Sequence, residues 1–232
     1  QPFDWKEMSQ KLSVVIPTLN AQQVLPSTLE KLMEGVFAGV IGDLVIVDGG
    51  SSDATNTIAK EVGATFLEVT PSRGGQIFAG VSACKCDWVL ILHADSRLSQ
   101  GWAELIPTAP DSERAYYFQL QFDAVGIAAC WVAKWANLRS KIFALPYGDQ
   151  GILIHKSLLI SLGGYPTAPL MEDVILARTL GRRLTALPIT ITTSAEKYIA
   201  QGWLRRGFLN VALLLQFLLG KTPEALYKKY YS

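Results

Sequence analysis

The chain has 232 residues, of which 50% are hydrophobic and 18% charged; this excludes a disordered chain and suits one α/β domain with a substantial core. A formal net charge of +1 excludes broad electrostatic attraction to nucleic acid. Two histidines and three cysteines (Cys84, Cys86 and Cys130, without CxxC spacing) exclude a His-rich or zinc-ribbon metal site and suit a reducing compartment, the cytoplasm.

No charged segment followed by an apolar core opens the chain, so no signal peptide is expected over Gln1 to about Lys11. Leu12 to Ile16 is a β-branched run, predicted as a strand stopped by Pro17. Asn20 is placed to cap a helix whose apolar positions Val24, Leu25, Leu29, Leu32 and Met33 follow a 3.6-residue period. Leu44 to Val47 is the next strand, ending in Asp48-Gly49-Gly50-Ser51-Ser52-Asp53, with Ser52 or Asp53 capping a second helix. Thr65 to Val69 is a third strand, and Pro71-Ser72-Arg73-Gly74-Gly75 turns into a third helix. Val89 to Leu92 is apolar on both faces, as a central strand in a parallel sheet would be, and stops abruptly at His93-Ala94-Asp95-Ser96. Strand and helix thus alternate four times, which argues a right-handed, mostly parallel sheet flanked by helices.

After Pro110 the pattern changes. Tyr116 to Phe122 is a strand with one polar face, and Asp123 to Phe143 a long helix with Trp131, Trp135, Leu138 and Ile142 on one side, a face that reads as core, the commoner case, or as a dimer or membrane face. A turn at Pro146 to Gly151 leads to a strand at Ile152 to His155 and a short helix ending at Gly163-Gly164. Met171-Glu172-Asp173-Val174 opens another helix. Gln201 to Gly220 is apolar with a narrow polar stripe through Arg206, Asn210 and Gln216. Its core, Phe208 to Leu219, is too short to span a bilayer and reads as a buried helix, a homodimer face or an interfacial segment. From Glu196 to Ser232 six Lys or Arg stand against two Glu, an excess that suits phosphates, an anionic membrane surface, or a solvated face. The division expected is 12–110, 111–200 and a helical segment at 201–232, all within a single domain.

Ligands of open α/β sheets bind where the strands end at their carboxyl edge. The loop Pro17 to Asn20 offers backbone groups and short polar side chains there. Asp48 can accept from a base edge or a sugar hydroxyl, and Arg73 can donate in a fixed fork to a phosphate. Asp95, taken alone, reads as a helix or turn cap sooner than as a cation ligand. Together these residues describe a nucleotide-diphosphate site. No G-x-G-x-x-G follows the first strand and no G-x-x-x-x-G-K-[ST] occurs, which excludes the Rossmann dinucleotide and P-loop classes.

The segments SVVIPTLNA, VIVDGGSSDAT, PSRGGQ and VLILHADS, in this order and spacing, resemble family-2 glycosyltransferases of the GT-A fold, over about Ser13 to Gly207. The resemblance implies that Pro17, Thr18 and Asp48 line the nucleoside pocket, with Asn20 on the same loop and Arg73 near the nucleotide. It implies that Asp95 is the metal-binding last residue of the family's DxD motif, holding Mn²⁺ or Mg²⁺ against a UDP- or GDP-sugar. His93 stands where that motif begins with Asp, a departure that leaves one carboxylate; His93 then faces ribose or diphosphate, or is a satisfied histidine at a strand end. Glu172-Asp173 resembles the family's ED motif, in which the Asp is the catalytic base. Adjacent carboxylates point about 100° apart on a helix, so one acts on the acceptor while the other serves structure. Gly148-Asp149-Gln150 resembles the acceptor-side loop. Gln201 to Gly207 is loosely like the family's QxxRW segment, which puts Arg205 or Arg206 on the diphosphate and Trp203 against a sugar or acceptor. The function implied is inverting, metal-dependent transfer to an acceptor hydroxyl. The alternatives are transfer to a polyprenyl phosphate at the membrane surface and a non-catalytic nucleotide-sugar-binding protein.

Overall fold

The computed structural model describes residues 11–231; the reading of the N-terminus concerns residues almost wholly outside them. In chain order the elements are β1 (Leu12–Thr18), α1 (Leu25–Phe37), β2 (Ile41–Asp48), α2 (Thr55–Glu61), β3 (Thr65–Glu68), α3 (Arg73–Ala83) and β4 (Trp88–Ile91). Then come β5 (Arg97–Leu98), α4 (Trp102–Leu105), β6 (Ala115–Phe122), α5 (Ile127–Phe143), β7 (Ile152–His155), α6 (Lys156–Ser161) and α7 (Glu172–Leu180). The chain continues through β8 (Leu184–Thr193), α8 (Glu196–Gln201), α9 (Trp203–Leu218) and α10 (Pro223–Tyr231).

The strands form one mixed sheet in the order β3-β2-β1-β4-β7-β6-β8-β5. The first four are parallel, as the alternation of strands and helices requires, and β7 enters antiparallel beside β4. Strand order therefore reverses between β1 and β4, and a crevice opens at such a switch point. Every residue of β4 is buried, as its unbroken apolar run demands. One face of the sheet packs Leu25, Leu29 and Leu32 of α1, Trp102 of α4 and the alanines of α5. The other face packs Ile77 of α3, Leu158 and Leu159 of α6, and Leu176 and Leu180 of α7. Helix α3 approaches the strands closely through Gly80, where a Cβ would stand 2.5 Å from Val15.

Several expectations are corrected. β1 does not stop at Pro17 but runs to Thr18, with Pro17 opposite Val47 of β2. Asn20 does not cap α1: it sits at φ +50°, the helix begins at Leu25 without a side-chain cap, and the Asn20 amide oxygen accepts from Ser52 N at 2.9 Å. The cap position of α2 is Ala54, but the expected Asp53 does serve the helix start, its Oδ1 accepting from Thr55 N at 3.0 Å. β8 has no counterpart in the sequence reading, because Pro188 breaks its pattern. Its register against β6 shifts between Tyr117 and Gln119, and this irregularity takes up the proline.

The largest correction concerns the helices of the second half. α5 turns Ala129, Ala133 and Ala136 inward, while Trp131 and Trp135 are 72% and 51% exposed. α9 is not buried either. Its inward side holds Arg206, Leu213 and Leu214, with Asn210 donating to the Tyr198 hydroxyl, while Leu204, Phe208 and Leu215 face out. No described helix is long and apolar enough to cross a membrane.

Candidate active site

The loops at the carboxyl ends of β1 and β2 are built around Asp48. This buried carboxylate accepts from Thr18 Oγ1 at 2.8 Å, Ser51 Oγ at 2.6 Å, Ser51 N at 2.6 Å and Gly50 N at 2.9 Å. Four donors fill the four lone-pair directions of a carboxylate. Asp48 thus shapes the turn. Gln76 of α3 completes this corner, its Nε2 donating to the Thr18 and Val47 carbonyls, both at 2.8 Å.

Arg73 is the first residue of α3, which Ser72 caps by accepting from Gly75 N. The helix start lies so close to the second half of the chain that a Cβ on Gly74 would stand 2.3 Å from the Pro166 carbonyl. Arg73 Nη1 reaches Glu172 Oε1 at 3.5 Å, a contact spanning 99 positions of sequence. Glu172 is buried at the start of α7. Burial and the neighbouring Asp173 charge push its carboxyl up to about 7, against the opposing pull of Arg73.

Asp173 points elsewhere. Its Oδ2 accepts from Gly148 N at 2.7 Å and its Oδ1 from Val174 N at 2.7 Å. It lines a narrow cavity with His93, Tyr147, Gly148 and Tyr165. The space is about 20 Å³, room for a water. The His93 ring lies against Gly148, where a Cβ would stand 2.7 Å from Nε2. Burial first, then the positive charges of Arg73 and Lys197, push His93 down to about 3, so at neutral pH it is an uncharged imidazole.

Asp95 does not cap a turn. Its Oδ2 accepts from Thr193 Oγ1 at 3.0 Å and from Ser194 N at 3.2 Å, which fixes it to the end of β8. Among the described residues no group of three or more His, Cys, Asp or Glu is placed to hold a metal. A hard cation that keeps several waters and takes diphosphate oxygens needs only one or two carboxylates, so Asp95 fits a Mg²⁺-like ion of that kind.

With a carboxylate at the end of β4, a tethered Asp at the start of α7 and an Asp-centred turn at the switch point, the comparisons with known proteins are direct. Residues 13–139 match the family described as Glycosyl transferase family 2. The chain belongs to that family. An uncharacterized glycosyltransferase of Mycobacterium tuberculosis is 27% identical over 195 residues, covering 77% of this chain and 84% of that protein. The 4,4'-diaponeurosporenoate glycosyltransferase of Staphylococcus haemolyticus is 35% identical over 86 residues, 35% of this chain and 22% of its own length. Two solved structures share the fold. Glucosyl-3-phosphoglycerate synthase from Mycobacterium tuberculosis, in complex with Mn²⁺, UDP and glucosyl-3-phosphoglycerate, matches with a TM-score of 0.56 at 18% identity, covering 84% of this chain and 75% of that one. S. aureus TarS with UDP-GlcNAc matches with a TM-score of 0.59 at 17% identity, over 79% of this chain and 58% of that one. Of a longer TarS chain this glycosyltransferase spans 40%.

In this family-2 glycosyltransferase three expected acceptor- or donor-side residues make contacts within the fold. Gln150 is fully buried; its Oε1 accepts from Ser140 Oγ at 2.5 Å and its Nε2 donates to the Phe118 carbonyl at 3.1 Å. Trp203 stacks on Tyr198 at 4.9 Å and meets Phe122 edge-on at 5.2 Å, so it is part of a three-ring cluster. Of the arginine pair, Arg205 is exposed, whereas Arg206 is buried and donates to Gln201 Oε1 at 3.1 Å.

Asp149 remains a candidate for ligand contact. Its Oδ1 is buried without a hydrogen-bond partner, and burial pushes its carboxyl up to about 6, with Asp173 and Asp95 adding to the rise and Arg139 opposing it. Arg139, on the inner side of α5, lies over the Tyr147 ring at 3.4 Å and stiffens the same loop. Lys197, which sequence reasoning missed, is held below its ordinary value by partial burial and by the charges of Arg73 and Arg206. The one signal for it was the basic excess after Glu196, which did not single it out. Tyr165 lines the Asp173 cavity and had no signal at all.

Proposed function

We infer that this glycosyltransferase moves a sugar from a nucleotide-diphospho-sugar to an acceptor hydroxyl with inversion, in a single in-line displacement. One observation carries the reading: Asp173 is held by the Gly148 N–H beside His93, where the donor-side strand ends. The acceptor oxygen attacks the anomeric carbon, the bond from that carbon to the diphosphate oxygen breaks, and Asp173 takes the hydroxyl proton. Glu172, paired with Arg73, serves structure by coupling the two halves of the site. Arg73, Arg206 and Lys197 place positive charge where a diphosphate leaves. A Mn²⁺ or Mg²⁺ ion held by Asp95 supplies further neutralisation of that diphosphate. Asp149, with an unpartnered oxygen on the adjoining loop, accepts from a hydroxyl of the acceptor. The UDP, UDP-GlcNAc and Mn²⁺ in the solved structures of similar fold support a UDP-sugar over a GDP-sugar.

Calorimetric titration with UDP, GDP and their sugars, with and without Mn²⁺, tests this on the wild type and Asp95→Ala. Metal-dependent binding of one nucleotide, weakened at least about tenfold in Asp95→Ala, is expected. Absence of binding by either nucleotide would overturn the donor assignment.

A second reading, transfer to a polyprenyl phosphate, is favoured by the exposed apolar side of α9. Such an acceptor is already ionised and needs no base. Turnover that survives Asp173→Asn would favour it.

A further inference from the structure

α5 is built inside out. Its core-facing positions are the small residues Ala129, Ala133 and Ala136, whereas Ile127, Trp131, Trp135, Leu138 and Ile142 are all exposed. At about 100° per residue these five fall within an arc of about 80°. The neighbouring α9 buries Arg206, Leu213 and Leu214 but leaves a second apolar stripe outside. Leu204, Phe208, Val211 and Leu215, with Leu219 at its C-cap, are exposed, at 90%, 76%, 37%, 53% and 86%, and share an arc of about 80°. The two helices pack on each other. Scattered apolar residues on a surface need no explanation, but two adjoining stripes of this kind mark an interaction surface.

The charges on these helices identify what covers it. α5 and α9 contain no Asp or Glu. Lys134 and Lys141 are exposed and lie along one border of the α5 stripe, within about 40° of Ile127. Arg205 is exposed beside the α9 stripe. We propose that the outer faces of α5 and α9 rest in the headgroup layer of an anionic lipid bilayer, Trp131, Trp135 and Phe208 entering the acyl boundary and Lys134, Lys141 and Arg205 meeting lipid phosphates. A second copy of the chain is the poorer occupant: a two-fold contact brings the same patch to itself and sets these cations against their own kind. The helices lie along the surface rather than across it, since neither is long enough to span. The placement rests on these faces alone and holds whichever acceptor the transferase uses. Because Arg139 of α5 and Arg206 of α9 point inward toward the candidate site, that site stands about one helix diameter, roughly 10 Å, from the lipid.

Co-sedimentation with phosphatidylcholine vesicles, with and without about 30 mol% phosphatidylglycerol, tests the proposal on the full chain. The wild type is expected to sediment with the anionic vesicles, release in high salt, and show a blue shift of tryptophan emission. Lys134→Glu with Lys141→Glu, which leaves every apolar residue in place, is expected to weaken binding at least about tenfold. Trp131→Ser with Trp135→Ser is expected to weaken it with far-UV circular dichroism unchanged. No sedimentation with anionic vesicles would overturn the proposal. So would a micromolar dimer in sedimentation velocity that Trp131→Ser with Trp135→Ser dissolves.

Discussion

Gly148 donates its backbone N–H to Asp173 Oδ2 at 2.7 Å, and the same glycine leaves no room for a side chain, since a Cβ would stand 2.7 Å from His93 Nε2. One residue therefore sets the position of the proposed base and its distance from the end of β4. The loop that carries it is anchored from below by Gln150 and from the side by Arg139 stacked on Tyr147.

Gly148→Ala is expected to push the loop away from His93, lowering transfer at least about tenfold while costing about 1–3 kcal/mol of stability. Adding His93→Ala removes the clash and should restore most of the stability. Urea unfolding of the single and double variants checks this.

Asp173→Asn keeps the shape of the side chain and its contact with Gly148 N but removes a proton acceptor. Transfer to a hydroxyl is expected to fall about 10²–10⁴-fold, with nucleotide affinity within about threefold of wild type. Single-turnover assays and calorimetry on the same preparation separate the two effects.

Asp149 should make the fold less stable as pH rises. Its carboxyl is raised from 3.8 to about 6 in the folded state, so between those values the folded chain binds more protons than the unfolded one. Stability then falls with rising pH through that window and stays low above it. Asp149→Asn is expected to be more stable than wild type by about 1–3 kcal/mol at pH 8, the pH-dependent part of the gain disappearing below about pH 4. Denaturant midpoints at pH 4, 6 and 8 test the sign.

Trp203 and Gln150 are expected to act on stability. Trp203→Ala opens the cluster with Tyr198 and Phe122 and should cost about 3–5 kcal/mol. Gln150→Leu takes the side-chain donor from the Phe118 carbonyl, while the Ser140 hydroxyl keeps the Ala136 carbonyl at 2.9 Å, and should cost about 1–3 kcal/mol. Nucleotide affinity measured well below the unfolding transition is expected to stay within about threefold of wild type in both; a large loss for Trp203→Ala would restore its reading as a ligand-stacking ring.

The first half of the fold was legible because its signals are local. A parallel strand buried on both faces must read as an unbroken apolar run, and Val89 to Leu92 does. A helix that starts at a polar loop declares its start, as Ser72 does for α3 by accepting from Gly75 N. β8 was illegible for a local reason as well: Pro188 argues against a strand unless a bulge takes it up, and a bulge is a property of the pairing rather than of the strand.

For the site, the sequence determined which carboxylates lie at strand and helix ends: Asp48, Asp95 and the Glu172-Asp173 pair. Only the tertiary structure decided what each is free to do. Asp48 is saturated by four donors from two loops, Glu172 is paired with Arg73 across 99 positions, and Asp173 turns to Gly148. The outward Trp131 face had the same origin. Periodicity in α5 shows that the helix has two faces, but which one is buried depends on whether the neighbouring sheet leaves room for Trp or only for Ala. That room is made by residues far away in the chain, and no local pattern records it.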